Sequence, residues 1–418
     1  MKRDQTMIEK IFSRASGKDV FAGDYAWLKL NLVAMRDFGG PNVVQEYRLA
    51  FGDRKIFNKD QVAVTFDLHI PPRDEKVAVN QQLLRQFAKD QGAKLFDVNT
   101  GIGQHILMES GMVKPWDVII GTDSHMNLLG AVGAAGFGMG TTDVAGAMYK
   151  GSLWFRVPET IKMVLNGTMP AAISSKDIIL HILSVVRTDG ALHKAIEFTG
   201  EAVLKMPFHD RITIASMVTE MSGEIGLLEP NDSVKDFLDK HKAGPFDTLT
   251  ADNDGIYESI MEFDISKLAP LISCPHSPDN VERVTDMKDV KVDQVFIGSC
   301  TNGRYEDLAS AAGILKGKKI SNTVRMIIVP ATMEVAMQAS NAGLFDIFMN
   351  AGVVITNPGC ALCTTGHPGI LAPGETMIST SNRNFHGKLG KGASVYLASP
   401  ATAAASAITG YITDPREA

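Results

Sequence analysis

Three of the four cysteines in this 418-residue chain lie in two short glycine-bearing segments, Gly298-Ser-Cys300-Thr-Asn-Gly303 and Asn357-Pro-Gly-Cys360-Ala-Leu-Cys363. A Cys-x-x-Cys pair with one remote cysteine offers three thiolates to a soft metal centre. Three ligands are one short of a closed four-cysteine site, and the missing ligand leaves a position for substrate. These residues therefore predict a catalytic centre, with iron–sulfur and zinc as the candidate chemistries. A Cys360–Cys363 disulfide is an alternative, but so few cysteines in a long chain without an apolar leader predict a reducing compartment. A thioredoxin-like redox pair would leave Cys300 without a role. Zinc deaminases carry Pro-Cys-x-x-Cys, whereas Gly359 separates Pro358 from Cys360 here and no His-x-Glu partner lies upstream. Cys274, after Leu271-Ile-Ser273, reads as a buried core thiol.

The elements that must position these segments are short, nearly continuous apolar runs at 61–66, 116–120, 292–297, 324–330 and 352–356. Continuous runs suit strands buried on both faces of a mostly parallel sheet. Helical patterns cover 6–15, 80–90, 142–150, 174–188, 305–315, 332–342 and 401–409. That alternation predicts α/β layers, in which ligands gather beyond the carboxyl ends of the strands. Both cysteine segments obey the rule: Val295-Phe-Ile297 runs into Gly298-Ser-Cys300, and Val353-Val-Ile355 leads into Asn357-Pro-Gly-Cys360.

The character of the chain changes between about 165 and 285, where a mixed polar stretch precedes an acidic one around Pro230-Asn-Asp232. Three α/β units are expected, 1–164, 165–285 and 286–418, the last carrying the cysteines. The glycine run from Gly130 to Gly140 follows the polar Thr122-Asp-Ser-His125, and no acidic residue closes a βαβ unit at the right distance. It predicts close backbone packing around a buried site rather than a dinucleotide loop.

Apolar residues make up 45% of the chain and charged ones 21%, the balance of a soluble globular enzyme. A net charge of −6 and the lack of an extended Lys/Arg run argue against nucleic acid as a principal partner. The opening residues lack an apolar leader, and the run from Leu128 to Met148 is too rich in glycine to span a bilayer. A cytoplasmic location away from membranes is the expectation.

Thr122-Asp-Ser-His125, Gly298 to Gly303, the Cys360-x-x-Cys363 turn and Ser379-Thr-Ser-Asn-Arg-Asn-Phe385 follow one another along the chain. Together they resemble the aconitase superfamily over nearly the whole length, which is similar to that of the 3-isopropylmalate dehydratase large-subunit type, with homoaconitase and dimethylmaleate hydratase. The resemblance implies aconitase-like three-layer α/β/α domains around a central iron–sulfur cleft. It implies a hydro-lyase acting on a substituted malate, a dicarboxylic or tricarboxylic hydroxy acid, and a place in leucine biosynthesis. It also implies a [4Fe–4S] cluster held through Cys300, Cys360 and Cys363, lending Lewis acidity to the departure of hydroxide.

Eliminating water from such an acid needs a base for the proton beside a carboxylate, an acid for the hydroxyl and cations for the carboxylates. By resemblance, Asp67, His69, His105, Asp123, His125 and Glu220 carry the acid–base work, and Ser124, Asn382, Arg383 and Lys388 bind substrate. A guanidinium fork such as Arg383 suits a carboxylate.

The chain also departs from the family pattern. Leu68 separates Asp67 from His69 where Asp-His is usually adjacent, and Gln104-His105 inverts the usual His-Gln. On an extended chain a shift of one residue turns a side chain to the other face. Ser216 stands where asparagine is common, and Lys388 where an arginine usually follows Asn-Arg-Asn-Phe. These differences predict a divergent member with a substrate other than citrate or isopropylmalate and an intact cluster site. Family members of this length lack the mobile swivel domain, so a separate small subunit is the expected partner in a heterodimer. The other functional classes to weigh are a zinc hydrolase and a non-catalytic RNA-binding relative.

Overall fold

The computed structural model describes residues 3–363 and 367–418, and three largely parallel sheets organise them. The N-terminal sheet runs Lys94–Phe96, Val62–Thr65, Leu32–Arg36, Val118–Gly121, Ala135–Gly138, all parallel. Val-Ala-Val-Thr and Val-Ile-Ile-Gly are buried at every position, as β-branched runs covered on both faces must be. The central sheet runs Ile225–Leu228, Ala195–Thr199, Thr160–Asn166, Ser259–Asp264.

The C-terminal sheet has five parallel strands, Ser394–Ala398, Thr376–Ser379, Gln294–Ile297, Arg325–Ile328 and Val354–Ile355. Leu271–Ser273 and Val281–Arg283 extend it in antiparallel fashion. A two-stranded ribbon, Tyr25–Lys29 with Trp-bearing Ser152–Arg156, lies apart from the three sheets.

Helices start where side chains can satisfy the first free amides. Met7–Ser16 opens on a Thr6/Glu9 capping box and closes on left-handed Gly17. Glu75–Gln91 opens on Asp74, ahead of the expected start at 80, because a capping aspartate outranks the first apolar repeat. The expected α/β alternation is the observed one, and every expected strand and helix has its counterpart.

The expected unit boundaries differ from sheet membership. The division after residue 164 falls inside Thr160–Asn166, which pairs along its length with Ser259–Asp264. Leu271–Ser273 and Val281–Arg283, expected in the second unit, pair into the C-terminal sheet. Sheet membership therefore changes before Thr160 and again between Asp264 and Leu271, where no compositional shift marks it.

The glycine run packs closely, as expected, in a 3₁₀ segment, Met126–Val132, and the strand Ala135–Gly138, ahead of the helix Thr141–Lys150. A Cβ at Gly130 would meet the Gly226 carbonyl oxygen at 1.6 Å, and one at Gly138 would meet that of Asp123 at 2.6 Å. These glycines let the central sheet and the turn after Val118–Gly121 close on the run.

Candidate active site

The carboxyl ends of strands from the N-terminal and C-terminal sheets meet at one cavity of about 240 Å³. Arg36 ends Leu32–Arg36, and Asp123, Ser124 and His125 follow Val118–Gly121. Cys300 follows Gln294–Ile297, Cys360 and Cys363 follow Val354–Ile355, and Asn382 and Arg383 follow Thr376–Ser379. All of these line the cavity, with Lys388. The sheets are tied there: the Cys360 amide donates to the Asp67 carbonyl at 2.8 Å, and Ile102 donates to Ala331 at 2.8 Å.

One wall holds the sulfurs. Ser299 Oγ lies 3.2 Å from Cys363 Sγ, and Ser216 Oγ lies 3.5 Å from Cys300 Sγ. Asn382 Oδ1 accepts from Ser299 Oγ at 3.1 Å and from the Cys300 thiol at 3.5 Å, while Asn382 Nδ2 donates to Ser216 Oγ. Positive φ at Gly298, Ser299 and Ala361 turns the backbone beside the cysteines. Burial, with Cys363 close by, pushes the Cys300 thiol up to about 12. Cys300, Cys360 and Cys363 all line this cavity. They suit a larger group that takes one thiolate at each of several metals.

A chain of charges adjoins the sulfurs. His125 Nε2 and Glu220 Oε1 are 2.8 Å apart, and Arg383 Nε donates to both Glu220 oxygens at 2.9 and 3.0 Å. His125 Nδ1 faces Ser124 Oγ at 3.3 Å and Asp123 Oδ1 at 3.6 Å. Burial opposes charge on His125, but Asp123 and Glu220 prevail and raise its pKa. Burial likewise opposes ionisation of Glu220, and His125 and Arg383 overcome it, holding the carboxylate below its ordinary range. Asp123 is held well below that range, against burial, by Arg36 and His125. Arg383 keeps its two Nη groups without a protein partner among the described residues, so the fork remains for a ligand carboxylate. Lys388 Nζ donates to the Arg383 carbonyl at 2.7 Å, and burial draws it down to about 8.

Asp67, His69 and His105 stand back from this cavity. Arg36 bridges Asp67, at 2.8 Å, and Asp123. Asp67 also accepts the Gly103 amide at 2.8 Å. The His69 ring stacks on His367, centroids 5.0 Å apart, while Leu68 lines the cavity. His105 is fully buried behind the cysteine turn, its Nε2–H donating to the Cys300 carbonyl at 3.0 Å, and burial pushes it down to about 3. The one-residue shifts thus put Leu68 at the cavity and Gln104 beside Asp67.

Sequence reasoning missed four neighbours of the site. Arg36 closes an apolar strand without a motif; a cation ending such a run was its only signal. The Asp37 carboxylate takes the amides of Leu68 and His69 at 3.1 and 3.0 Å and shapes that segment. Phe38 lines the cavity beside Leu68. Lys176, buried with no acidic side chain in contact among the described residues, had no pattern to reveal it. A larger cavity of about 460 Å³ opens on the other side of Ser124, beside Trp154, but holds no thiol and no histidine.

Comparison with known proteins agrees with this geometry. The chain matches the aconitase family (aconitate hydratase) over residues 9–287 and 280–410. It is 42% identical over 413 residues to the probable 3-isopropylmalate dehydratase large subunit of Methanothermobacter thermautotrophicus, covering 98% of each chain. To the 3-isopropylmalate dehydratase large subunit of Clostridium kluyveri it is 43% identical over 416 residues, covering 99% of each. Thermococcus kodakaraensis aconitase X, in its holo-form crystal structure, shares the fold alone, with a TM-score of 0.51 and 11% identity over 85% of this chain and 84% of that one. With motifs, fold and full-length relatives in agreement, the chain belongs to the aconitase family and is a hydro-lyase by class.

Proposed function

We propose that the chain is the large, cysteine-bearing subunit of a [4Fe–4S] hydro-lyase that interconverts a substituted malate and its unsaturated acid, with 3-isopropylmalate the first candidate. Dimethylmaleate and homoaconitate are the alternatives within the class. The observation that carries this reading is one cavity lined by three thiols and by His125 and Arg383, which Glu220 links. Cys300, Cys360 and Cys363 would hold the cluster, which when bound supplies Lewis acidity toward the departing hydroxyl.

The other steps fall to this chain's side chains. Arg383 and Lys388 hold substrate carboxylates. His125, whose pKa is raised by its carboxylate neighbours against burial, donates a proton to the leaving oxygen. Ser124 orients His125 and bounds the substrate. Asp67 acts through Arg36, which it shares with Asp123. Among the described residues no group near the cavity stands as an unpaired base toward a carbon-bound proton, which agrees with a base on a separate small subunit. The names of the relatives speak of a large subunit, and a heterodimer in the cytoplasm, within leucine biosynthesis, completes the reading. Among the described residues no helix is long and apolar enough to cross a membrane.

An acidic balance weighs against RNA. Anaerobic purification with the small subunit, followed by visible and EPR spectra and iron-to-sulfide ratio, tests the proposal. A brown protein that loses its colour in Cys300→Ser and hydrates the unsaturated acid is expected. Colourless protein with stoichiometric zinc would overturn it.

A further inference from the structure

Lys176, at the start of the helix Ser175–Val186, is completely buried. Its neighbour Asp177 is engaged elsewhere, accepting from Ser174 at 2.9 Å and from the Leu271 amide at 2.9 Å. Lys176 Nζ donates to the carbonyls of Thr380 and Ser381, each at 2.9 Å, and lies 4.0 Å from Met217 Sδ. Among the described residues no carboxylate contacts it. Burial pulls its pKa down, to about 7; Cys300 is the strongest attraction acting against that, ahead of Asp307 and Glu220, while Lys388 repels it.

An ammonium facing only carbonyl dipoles is costly to bury unless an anion compensates it. Methionine would fill the same volume without that cost, so packing does not account for a lysine here. The carbonyls it holds belong to the two residues before Asn382, which contacts Cys300 and Ser216, and Arg383, which contacts Glu220.

We propose that Lys176 is a positioning residue and the buried counter-ion of the thiolate triad. Its ammonium lies behind the Cys300 turn, sharing the Thr380 carbonyl with Thr301 Oγ1 at 2.8 Å, and there offsets the negative charge of the metal centre, while its bonds to Thr380 and Ser381 direct the chain into Asn382 and Arg383. This rests on the iron–sulfur reading above.

The test compares wild type, Lys176→Met and Lys176→Gln as holo-protein with the small subunit, by midpoint potential and rate of iron loss in air, and as metal-free protein by thermal melting. Metal-free Lys176→Met is expected to melt at or above wild type, since it buries no uncompensated charge. Both holo variants are expected to favour the oxidised cluster about tenfold more, which for a one-electron couple is a midpoint about 59 mV more negative. Both should also lose iron severalfold faster.

A wild-type potential in both variants overturns the counter-ion role while leaving the cluster reading intact. A wild-type potential in Lys176→Gln alone overturns it too, because a hydrogen-bond donor would then suffice. Failure of both variants to fold would assign Lys176 to folding and sink the inference. Wild type without iron and sulfide would overturn the cluster reading, and the inference with it.

Discussion

His125 lies between two carboxylates, and that setting fixes the sign of its pH response. Its folded pKa is raised by Asp123 and Glu220 against burial, so the protonated ring persists above the ordinary histidine range. An acid of this kind is lost as pH rises through the folded value. The alkaline limb of kcat/KM is therefore expected above the ordinary histidine pKa, and Glu220→Gln should move it to lower pH. General acid catalysis being worth about 10²–10⁴-fold, His125→Asn should cost within that range in kcat. A pH profile unchanged by Glu220→Gln would remove His125 from the acid's role. At this scale the motifs were legible where whole side chains converge: the cysteines, Ser124, His125, Asn382, Arg383 and Lys388 share one cavity. His69 and His105 were not legible, because facing direction depends on a single residue of register that only the fold resolves. Arg36 and Lys176 act through contacts with residues far along the chain, Asp123 and Thr380 among them, which local pattern does not encode.

The strand Ala135–Gly138 and the helix Thr141–Lys150 make opposite demands on glycine. At Gly138 a Cβ would sit 2.6 Å from the Asp123 carbonyl oxygen and 2.9 Å from Ser124 Cα, and both are backbone atoms that cannot swing aside. Gly138→Ala should push the Asp123–His125 turn from its place, costing about 1–3 kcal/mol, the usual range for overpacking, and lowering kcat. Gly146, inside the helix, has nothing within 4 Å of a Cβ. Gly146→Ala should instead stabilise by about 0.5–1 kcal/mol with unchanged activity. Thermal melts and turnover of the two variants check both; equal behaviour would mean the glycine run does not bear on the site. Elements buried on both faces, such as Val62–Thr65, were legible from composition. Ser259–Asp264 was not, because it is a mostly exposed strand whose polar residues carry no β signal until its partner Thr160–Asn166 is in place.

The site exists only where the N-terminal and C-terminal sheets are held together, and one short helix, Gly103–Glu109, reinforces the Cys360–Asp67 and Ile102–Ala331 ties between them. At its start the Gly103 amide binds Asp67, in its middle His105 binds the Cys300 carbonyl, and at its end Glu109 pairs with Arg304 and accepts from Thr332 Oγ1 at 3.1 Å. Arg304 and Glu109 are 10% and 7% exposed, so the pair lies in low dielectric and neither charge can turn to water. Removing one partner of a buried pair costs about 3–5 kcal/mol because the other charge is stranded. Glu109→Ala should pay that cost in a urea titration. It should also speed iron loss from the holo-protein, although Glu109 touches neither thiol nor cavity, since the His105 prop behind Cys300 loosens with the helix. Glu109→Gln keeps an oxygen for Thr332 and Arg304 and should lose less on both counts. A Glu109→Ala protein that is destabilised yet keeps its iron at the wild-type rate would show that the cysteine turn holds its shape without the helix, and that the sheets are clamped elsewhere.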